Sequence, residues 1–216
     1  MSETQIPLPE RIRPRDLSEI IGQDHLLGEQ APLRQMIDQG HLPSVIFWGP
    51  PGVGKTTIAL LLAQAVDRPF ISLSALNTGV KELREIIAES GDLIVPDGFI
   101  DEIQRLNKSQ QEGVLSAVEQ GKITLIGATT ENPSFEVNNA LLSRCQVYTL
   151  RALTEEDISN LIRRALQQDK FLQDRYIQIE EYDALIQFAA GDARKALNLL
   201  DLIASTLEPE VENIIT

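Results

Sequence analysis

The sequence predicts an α/β fold in which helices cover both faces of a parallel β-sheet, followed by a small all-helical domain. Up to Leu150, short apolar runs alternate with stretches of helical periodicity, an order that is typical of parallel sheets. Beyond Leu150 helical spacing continues and no strand pattern is seen. These two observations place a boundary near Arg151, between a core of residues 1–150 and a helical domain of residues 151–216.

The predicted elements of the core follow one another regularly. Strands are predicted at 44–48, 69–74, 122–130 and 147–150, and helices at 56–66, 80–90 and 109–121, the last with Ser109 as N-cap. In the helical domain, a Thr-x-x-Asp signal at Thr154 and the pair Gly191-Asp192 mark two helix starts, with Asp192 as the N-cap.

Composition limits the class of protein. The chain has 216 residues, 43% of them hydrophobic, and a net charge of −13. A protein that binds nucleic acid over its whole surface is more often basic, so we expect any DNA contact to be confined to one face or made by an assembly. No stretch approaches the roughly 20 apolar residues that cross a bilayer. With a single cysteine and no apolar core at the N-terminus, the sequence predicts a cytoplasmic protein without a membrane partner.

The most specific motif is GPPGVGKT at 49–56, which fits G-x-x-x-x-G-K-[ST] between a predicted strand and a predicted helix. Glycines let the backbone fold tightly around phosphate oxygens, and amide groups at the helix start present partial positive charge. Lys55 is expected to reach the β- and γ-phosphates of ATP, and the Thr56 hydroxyl to ligate Mg²⁺. The predicted nucleotide-binding residues here are Gly49, Pro50, Pro51, Gly52, Val53, Gly54, Lys55, Thr56 and Thr57.

An acid pair, Asp101-Glu102, closes an apolar run further along the chain. At the carboxyl end of a parallel strand, an aspartate can hold the Mg²⁺ coordination shell and a glutamate can polarise the attacking water. The alternative is a pair of solvated acids that the dipole of a following helix favours. With the phosphate loop upstream, the catalytic interpretation is preferred.

Four segments together resemble AAA+ ATPases: GPPGVGKTT, DEIQRLNKSQQ, ITLIGATTENPSFEVNNALLSRC and GDARKALNLL. Within them, the chain is most similar to the replication-associated recombination protein A family (RarA or MgsA), which includes the Werner-helicase-interacting ATPase. The resemblance covers nearly the whole chain. It implies a P-loop AAA+ core followed by a helical lid domain.

The resemblance also implies roles for individual residues. By position, Lys55 binds phosphate, Thr56 and Asp101 hold the metal ion, and Glu102 activates water. Thr130 resembles the sensor-1 residue, Arg144 the arginine finger and Arg194 the sensor-2 arginine of the lid. Ile20 and Ile21 resemble the adenine pocket wall. Arg13 belongs to a basic patch with Arg11 and Arg15 and is predicted to lie near the nucleotide, with contact with DNA phosphates and simple solvation as the alternatives.

The residues before Asp101 depart from the family pattern. Asp97 and Gly98 stand where the family has an unbroken apolar strand, and Gln104 and Leu106 stand where it has His and Phe. Because Asp and Gly weaken a buried central strand, we expect a short supporting strand or a deleted loop, with weak ATPase activity beside normal ATP binding.

Two classes of function follow. The first is a DNA-associated ATPase acting in replication-fork maintenance and recombination on forks, ends or single-stranded gaps, with replication proteins such as single-strand-binding protein as partners. The second is a nucleotide-gated interaction module with little hydrolysis, and a clamp-loader-like subunit is a third reading. The family continues into a further helical region that mediates assembly. We therefore expect this chain to be the N-terminal part of a homo-oligomeric, nucleoid-associated protein.

Overall fold

The computed structural model describes residues 6–74 and 95–215. The chain forms two compact units. Among the described residues, the core unit comprises 16–49, 55–74 and 95–150, and the C-terminal unit comprises 6–15, 50–54 and 151–215. The sequence pattern places residues 6–15 and 50–54 in the core, whereas in the structure they group with the C-terminal unit. Within the described ranges, no helix is long and apolar enough to cross a membrane.

Helices and strands alternate through most of the described chain. The helices are α1 (Leu8–Arg11), α2 (Asp24–Leu27), α3 (Pro32–Asp38), α4 (Lys55–Ala65), α5 (Lys108–Glu119), α6 (Pro133–Glu136), α7 (Asn139–Leu142), α8 (Glu155–Gln168), α9 (Lys170–Gln173), α10 (Asp183–Ala189) and α11 (Ala193–Thr206), with 3-10 turns at Leu17–Glu19 and Ile103–Arg105. The strands are β1 (Val45–Trp48), β2 (Phe70–Ser74), β3 (Asp97–Asp101), β4 (Thr124–Thr129), β5 (Gln146–Thr149), β6 (Ile177–Ile179) and β7 (Asn213–Ile215).

The core unit is built on a five-stranded sheet in the order β2-β3-β4-β1-β5, and every neighbouring pair is parallel. This confirms the predicted α/β class. Strands β1 and β4 are mostly apolar and almost fully buried, as expected for central strands that helices cover on both faces. Because all five strands run the same way, the residues that follow β1, β3 and β4 leave the sheet at one edge.

Several predicted boundaries shift by one or two residues. The helix predicted at 109–121 begins at Lys108 with Asn107, rather than Ser109, as its N-cap. Asn107 forms a reciprocal capping box with Gln110, and this pair of hydrogen bonds satisfies two backbone donors at the start of the helix. The helix predicted at 80–90 lies outside the described residues.

Strand β3 is not interrupted in the way the sequence suggests. It runs through Asp97 and Gly98 and pairs with β2 and β4 from its first residue. Five residues is an ordinary strand length. A Cβ at Gly98 would make only van der Waals contact with Ile123, at 3.5 Å, so the glycine leaves no large gap. The expectation of a shortened supporting strand is wrong, because tertiary partners accommodate the polar residue.

The partners of Asp97 explain this accommodation. Its side chain is fully buried, and Oδ1 lies 3.5 Å from Arg68 Nη1, which also donates to Thr124 Oγ1 at 2.9 Å. Within the described part of the chain, Oδ2 has no hydrogen-bond partner. Burial raises the pKa of Asp97 to about 6, and the attraction of Arg68 and the hydrogen bonds offset this only in part.

The raised pKa predicts a pH-dependent stability. Between about pH 4 and pH 6 the folded state keeps a proton that the unfolded state has released, so the contribution of Asp97 falls as pH rises. Across this window, Asp97→Asn should gain about 2 kcal/mol in unfolding free energy relative to wild type. Urea unfolding of both proteins from pH 4 to pH 7 measures the difference, and a difference independent of pH would contradict the assignment.

The C-terminal unit has its own core, formed by α1, α8, α9, α10 and α11. The predicted helix starts are confirmed. Thr154 caps α8 through a capping box with Asp157, and Asp192 caps α11 by accepting from the Lys195 amide. The prediction that no strand follows residue 150 is wrong, since β6 and β7 pair in parallel. Each has three residues, too few to show a periodic pattern.

Candidate nucleotide site

The phosphate loop joins β1 to α4, as its motif requires. Gly52 and Gly54 have φ angles of 71° and 95°, a region that side chains rarely adopt. At Gly49 the restriction is steric, because a Cβ would lie 2.6 Å from the backbone oxygen of Leu150. The glycines therefore set the path of the loop, and no larger residue fits these positions without moving the backbone.

Lys55 is the first residue of α4 and is buried. Its Nζ donates to the backbone oxygen of Gly49 at 2.8 Å, which fixes the ammonium group against the start of the loop. Thr56 and Thr57 follow on the first turn of the helix, and both side chains are half-buried. An ammonium group and hydroxyls at a helix start provide the charge and donors that bind phosphate.

The acid pair lies at the tip of β3. Asp101 is the last residue of the strand, and its exposed carboxylate accepts from the Glu102 amide through Oδ1 at 3.0 Å. Glu102 has φ 53° and ψ 48°, a left-handed conformation that is uncommon for glutamate. The chain turns sharply here, into the 3-10 turn Ile103–Arg105. A backbone conformation of this kind costs free energy and persists only where the surrounding structure maintains it. Such residues are frequent at functional sites.

Gln104 is the site residue whose role the sequence did not reveal. Its Nε2 donates to Glu102 Oε2, so the amide holds one oxygen of the candidate catalytic carboxylate. Arg105 Nε lies 3.7 Å from the same oxygen. Within the described ranges, the buried Oε1 of Gln104 has no hydrogen-bond partner. The sequence shows that Gln104 departs from the family pattern. Its contact with Glu102 could not be predicted, because it arises from the 3-10 turn Ile103–Arg105.

Thr130 immediately follows β4, which ends at Thr129. The Thr129 side chain is buried and bonds the backbone of Glu131, accepting from its amide at 3.0 Å. The Thr130 side chain is half-buried at the sheet edge where β3 ends in the acid pair. This placement suits a sensor that reads the state of a bound nucleotide.

The two predicted phosphate-reading arginines have different surroundings. Arg144 follows α7, is exposed and pairs with Glu119, while its Nη1 donates to the Ala140 backbone oxygen at 2.7 Å. Arg194 lies in the first turn of α11 and is exposed. Among the described residues Arg194 has no ion-pair partner. Its guanidinium is available for an anionic ligand, whereas that of Arg144 must first leave a surface ion pair.

The remaining predicted contacts divide between the two units. In the core unit, Ile20 and Ile21 follow the 3-10 turn Leu17–Glu19 and are half-buried. In the C-terminal unit, Arg13 pairs with Glu10 three residues earlier. Arg11 is not solvated but forms ion pairs with Asp169 and Asp201. Within the basic patch, Arg11 therefore has a structural role, because it is paired with these two carboxylates.

The oxygen atoms of the predicted metal-binding residues are of the chemical type that binds Mg²⁺. Thr56 supplies a hydroxyl and Asp101 a carboxylate, and hard oxygen donors of this type are the ones that Mg²⁺ takes. The Asp101 carboxylate uses Oδ1 for the Glu102 amide and is exposed, so it has capacity for a cation. Mg²⁺ is commonly held by one or two protein side chains together with substrate phosphates and water.

Comparison with known proteins identifies a family and several relatives. The model of the ATPase family associated with various cellular activities (AAA) matches residues 45–153. Replication-associated recombination protein A of Coxiella burnetii is 48% identical over 92% of this chain and 46% of its own length. Its namesake in Escherichia coli K12 is 45% identical over 94% of this chain and 47% of its length. The chain thus spans about half the length of these curated relatives.

A solved structure gives the same result for the fold. The RuvB Holliday junction branch migration motor of Thermotoga maritima superposes with a TM-score of 0.70 at 30% sequence identity. The match covers 88% of this chain and 64% of the motor. An AAA domain is a nucleotide-binding domain, and the phosphate loop lies within the matched residues. The chain belongs to the AAA family of ATPases, in the branch of the replication-associated recombination proteins A.

Proposed function

We propose that this chain is the ATP-hydrolysing part of a DNA-associated ATPase that acts in replication-fork maintenance and recombination. One observation carries the proposal: the phosphate loop leaves β1, and the acid pair leaves β3, at the same edge of a parallel sheet. This is where ligands of such sheets gather. The names of the relatives support the DNA context, since they refer to replication, recombination and Holliday junctions.

Each residue has a defined role in this proposal. Backbone amides of the loop and the Lys55 ammonium bind the β- and γ-phosphates of ATP, and Ile20 and Ile21 face the adenine. Thr56 and Asp101 hold Mg²⁺, which neutralises phosphate charge when bound. Glu102 accepts a proton from the attacking water, and Thr130 orients that water.

Arginines extend the site. Arg194 binds terminal phosphate oxygens of the same chain's nucleotide, with Arg13 as an additional cation near it. Arg144 reaches the nucleotide of a neighbouring subunit in a homo-oligomer, which couples hydrolysis to assembly. A planar guanidinium can bind two phosphate oxygens at once, which suits both tasks. Forked or gapped DNA and single-strand-binding protein are the proposed partners, in the cytoplasm at the nucleoid.

A second function is favoured by one observation, the hydrogen bond through which Gln104 holds Glu102. If that bond persists with ATP bound, the carboxylate is diverted from water and the chain acts as a nucleotide-gated interaction module. The two functions predict the same ATP affinity and different turnover. The clamp-loader reading has no observation of this kind in its favour.

The experiment compares equilibrium ATP binding with steady-state turnover, with and without forked DNA. We expect Mg-ATP binding, turnover above background and stimulation by the fork. Lys55→Ala should weaken ATP binding by about tenfold or more, because a charge-assisted contact to phosphate is lost. Binding without turnover under every condition would favour the interaction module, and absence of binding would refute both.

A further inference from the structure

The phosphate loop makes a close contact within the C-terminal unit. A Cβ placed on Gly52 would lie 1.8 Å from Asp192 Oδ1 and 2.1 Å from its Cγ, so the Asp192 carboxylate occupies the space of a side chain at position 52. The neighbouring Ala193 amide donates to the Gly52 backbone oxygen at 3.1 Å. The start of α11 is therefore joined to the loop by packing and by a hydrogen bond.

The Asp192 carboxylate is also held in this position by the hydrogen bond with which it caps α11. Oδ1 accepts from the Lys195 amide at 3.0 Å, the N-cap bond of the 14-residue helix α11. The residue is buried, although aspartate is rarely buried without partners. One carboxylate oxygen thus contacts both the helix cap and the loop, and Arg194 lies two residues further on.

The hydrogen bond from Ala193 affects how the loop binds an anion. The Gly52 carbonyl and the Val53 amide belong to one peptide group, which a donor at the oxygen polarises. Polarisation makes the amide a stronger donor, and the positive end of the α11 dipole acts in the same direction. A loop fixed in advance also loses less conformational entropy when a ligand binds.

We propose that Asp192 is a positioning residue for ATP binding. It holds the start of α11 on the phosphate loop, keeps the Gly52–Val53 peptide polarised and places Arg194. The inference rests on the proposed function, because it concerns affinity for the same nucleotide. The carboxylate acts through its hydrogen-bonding shape rather than its charge, so asparagine, an equally good N-cap, is predicted to replace it.

The test measures ATP affinity calorimetrically for wild type, Asp192→Ala, Asp192→Asn and Thr154→Ala. Thr154 is the matched control, because it caps α8, another 14-residue helix of the same unit, and its side-chain hydrogen bonds among the described residues are to Asp157. We expect Asp192→Ala to bind ATP about tenfold more weakly, equivalent to about one hydrogen bond. Asp192→Asn and Thr154→Ala should stay within about threefold of wild type.

The outcomes separate this inference from the proposed function. Thermal unfolding without nucleotide shows whether the two cap deletions, Asp192→Ala and Thr154→Ala, cost similar stability. If they do and only Asp192→Ala loses affinity, the positioning role is supported. If Asp192→Ala binds ATP like wild type, or if Asp192→Asn is as weak as Asp192→Ala, the inference is overturned while the function stands. If wild type itself does not bind ATP, the proposed function fails.

Discussion

Replacing Glu102 by glutamine should leave ATP binding within about threefold of wild type and slow hydrolysis roughly a hundredfold to a thousandfold. Glutamine keeps the size of the side chain and its hydrogen-bonding capacity at the strand tip, but it cannot accept a proton from water. Binding depends on the phosphate loop, which the substitution does not touch. Calorimetry with Mg-ATP and a steady-state phosphate-release assay measure the two quantities on the same preparation.

The control is Glu112→Gln, the same chemical change at an exposed position of α5. It should leave both binding and turnover at the wild-type level. If wild type and Glu102→Gln hydrolyse ATP at the same rate, well above background, Glu102 is not the base. If neither protein hydrolyses ATP above background, the bond from Gln104 keeps the carboxylate inactive, and the interaction module becomes the better description.

Replacing Arg11 by alanine should lower the free energy of unfolding by about 3 kcal/mol. Arg11 Nε lies 2.7 Å from Asp169 Oδ2 and Nη2 lies 2.8 Å from Asp201 Oδ1. The guanidinium also lies over the Phe171 ring, 5.3 Å from its centroid, and donates to the Ile6 oxygen. Deleting it leaves the Asp169 carboxylate buried without its cation. An uncompensated buried charge costs more free energy than the loss of both partners of an ion pair.

Chemical denaturation of Arg11→Ala and Arg34→Ala checks this. Arg34 makes a half-exposed pair with Asp38 on α3, four residues apart, and its loss should cost less than about 1 kcal/mol. Equal effects of the two substitutions would mean that the Arg11 pairs contribute no more than a surface pair does. The prediction concerns stability alone, because Arg11 is held by carboxylates and not offered to a ligand.

Much of the site could be read from the sequence because its signals are local. The glycine spacing of the loop, the lysine and threonine that follow it and the acid pair are fixed by neighbouring residues, and the alternation of strands and helices placed them at strand ends. The residues that contact the loop in the folded protein could not be predicted from the sequence. The contact between Gly52 and Asp192 joins residues far apart in the chain, and no periodicity encodes it.

The sequence by itself determined the parallel α/β core, the phosphate loop and the caps Thr154 and Asp192, since each depends on spacings of a few residues. The tertiary structure decided the rest. It buried Asp97 inside a regular strand, paired Arg11 with carboxylates 158 and 190 residues away and joined two three-residue strands. Such features arise from packing between distant segments, where the free energy of burial and pairing overrides the local preference of each residue.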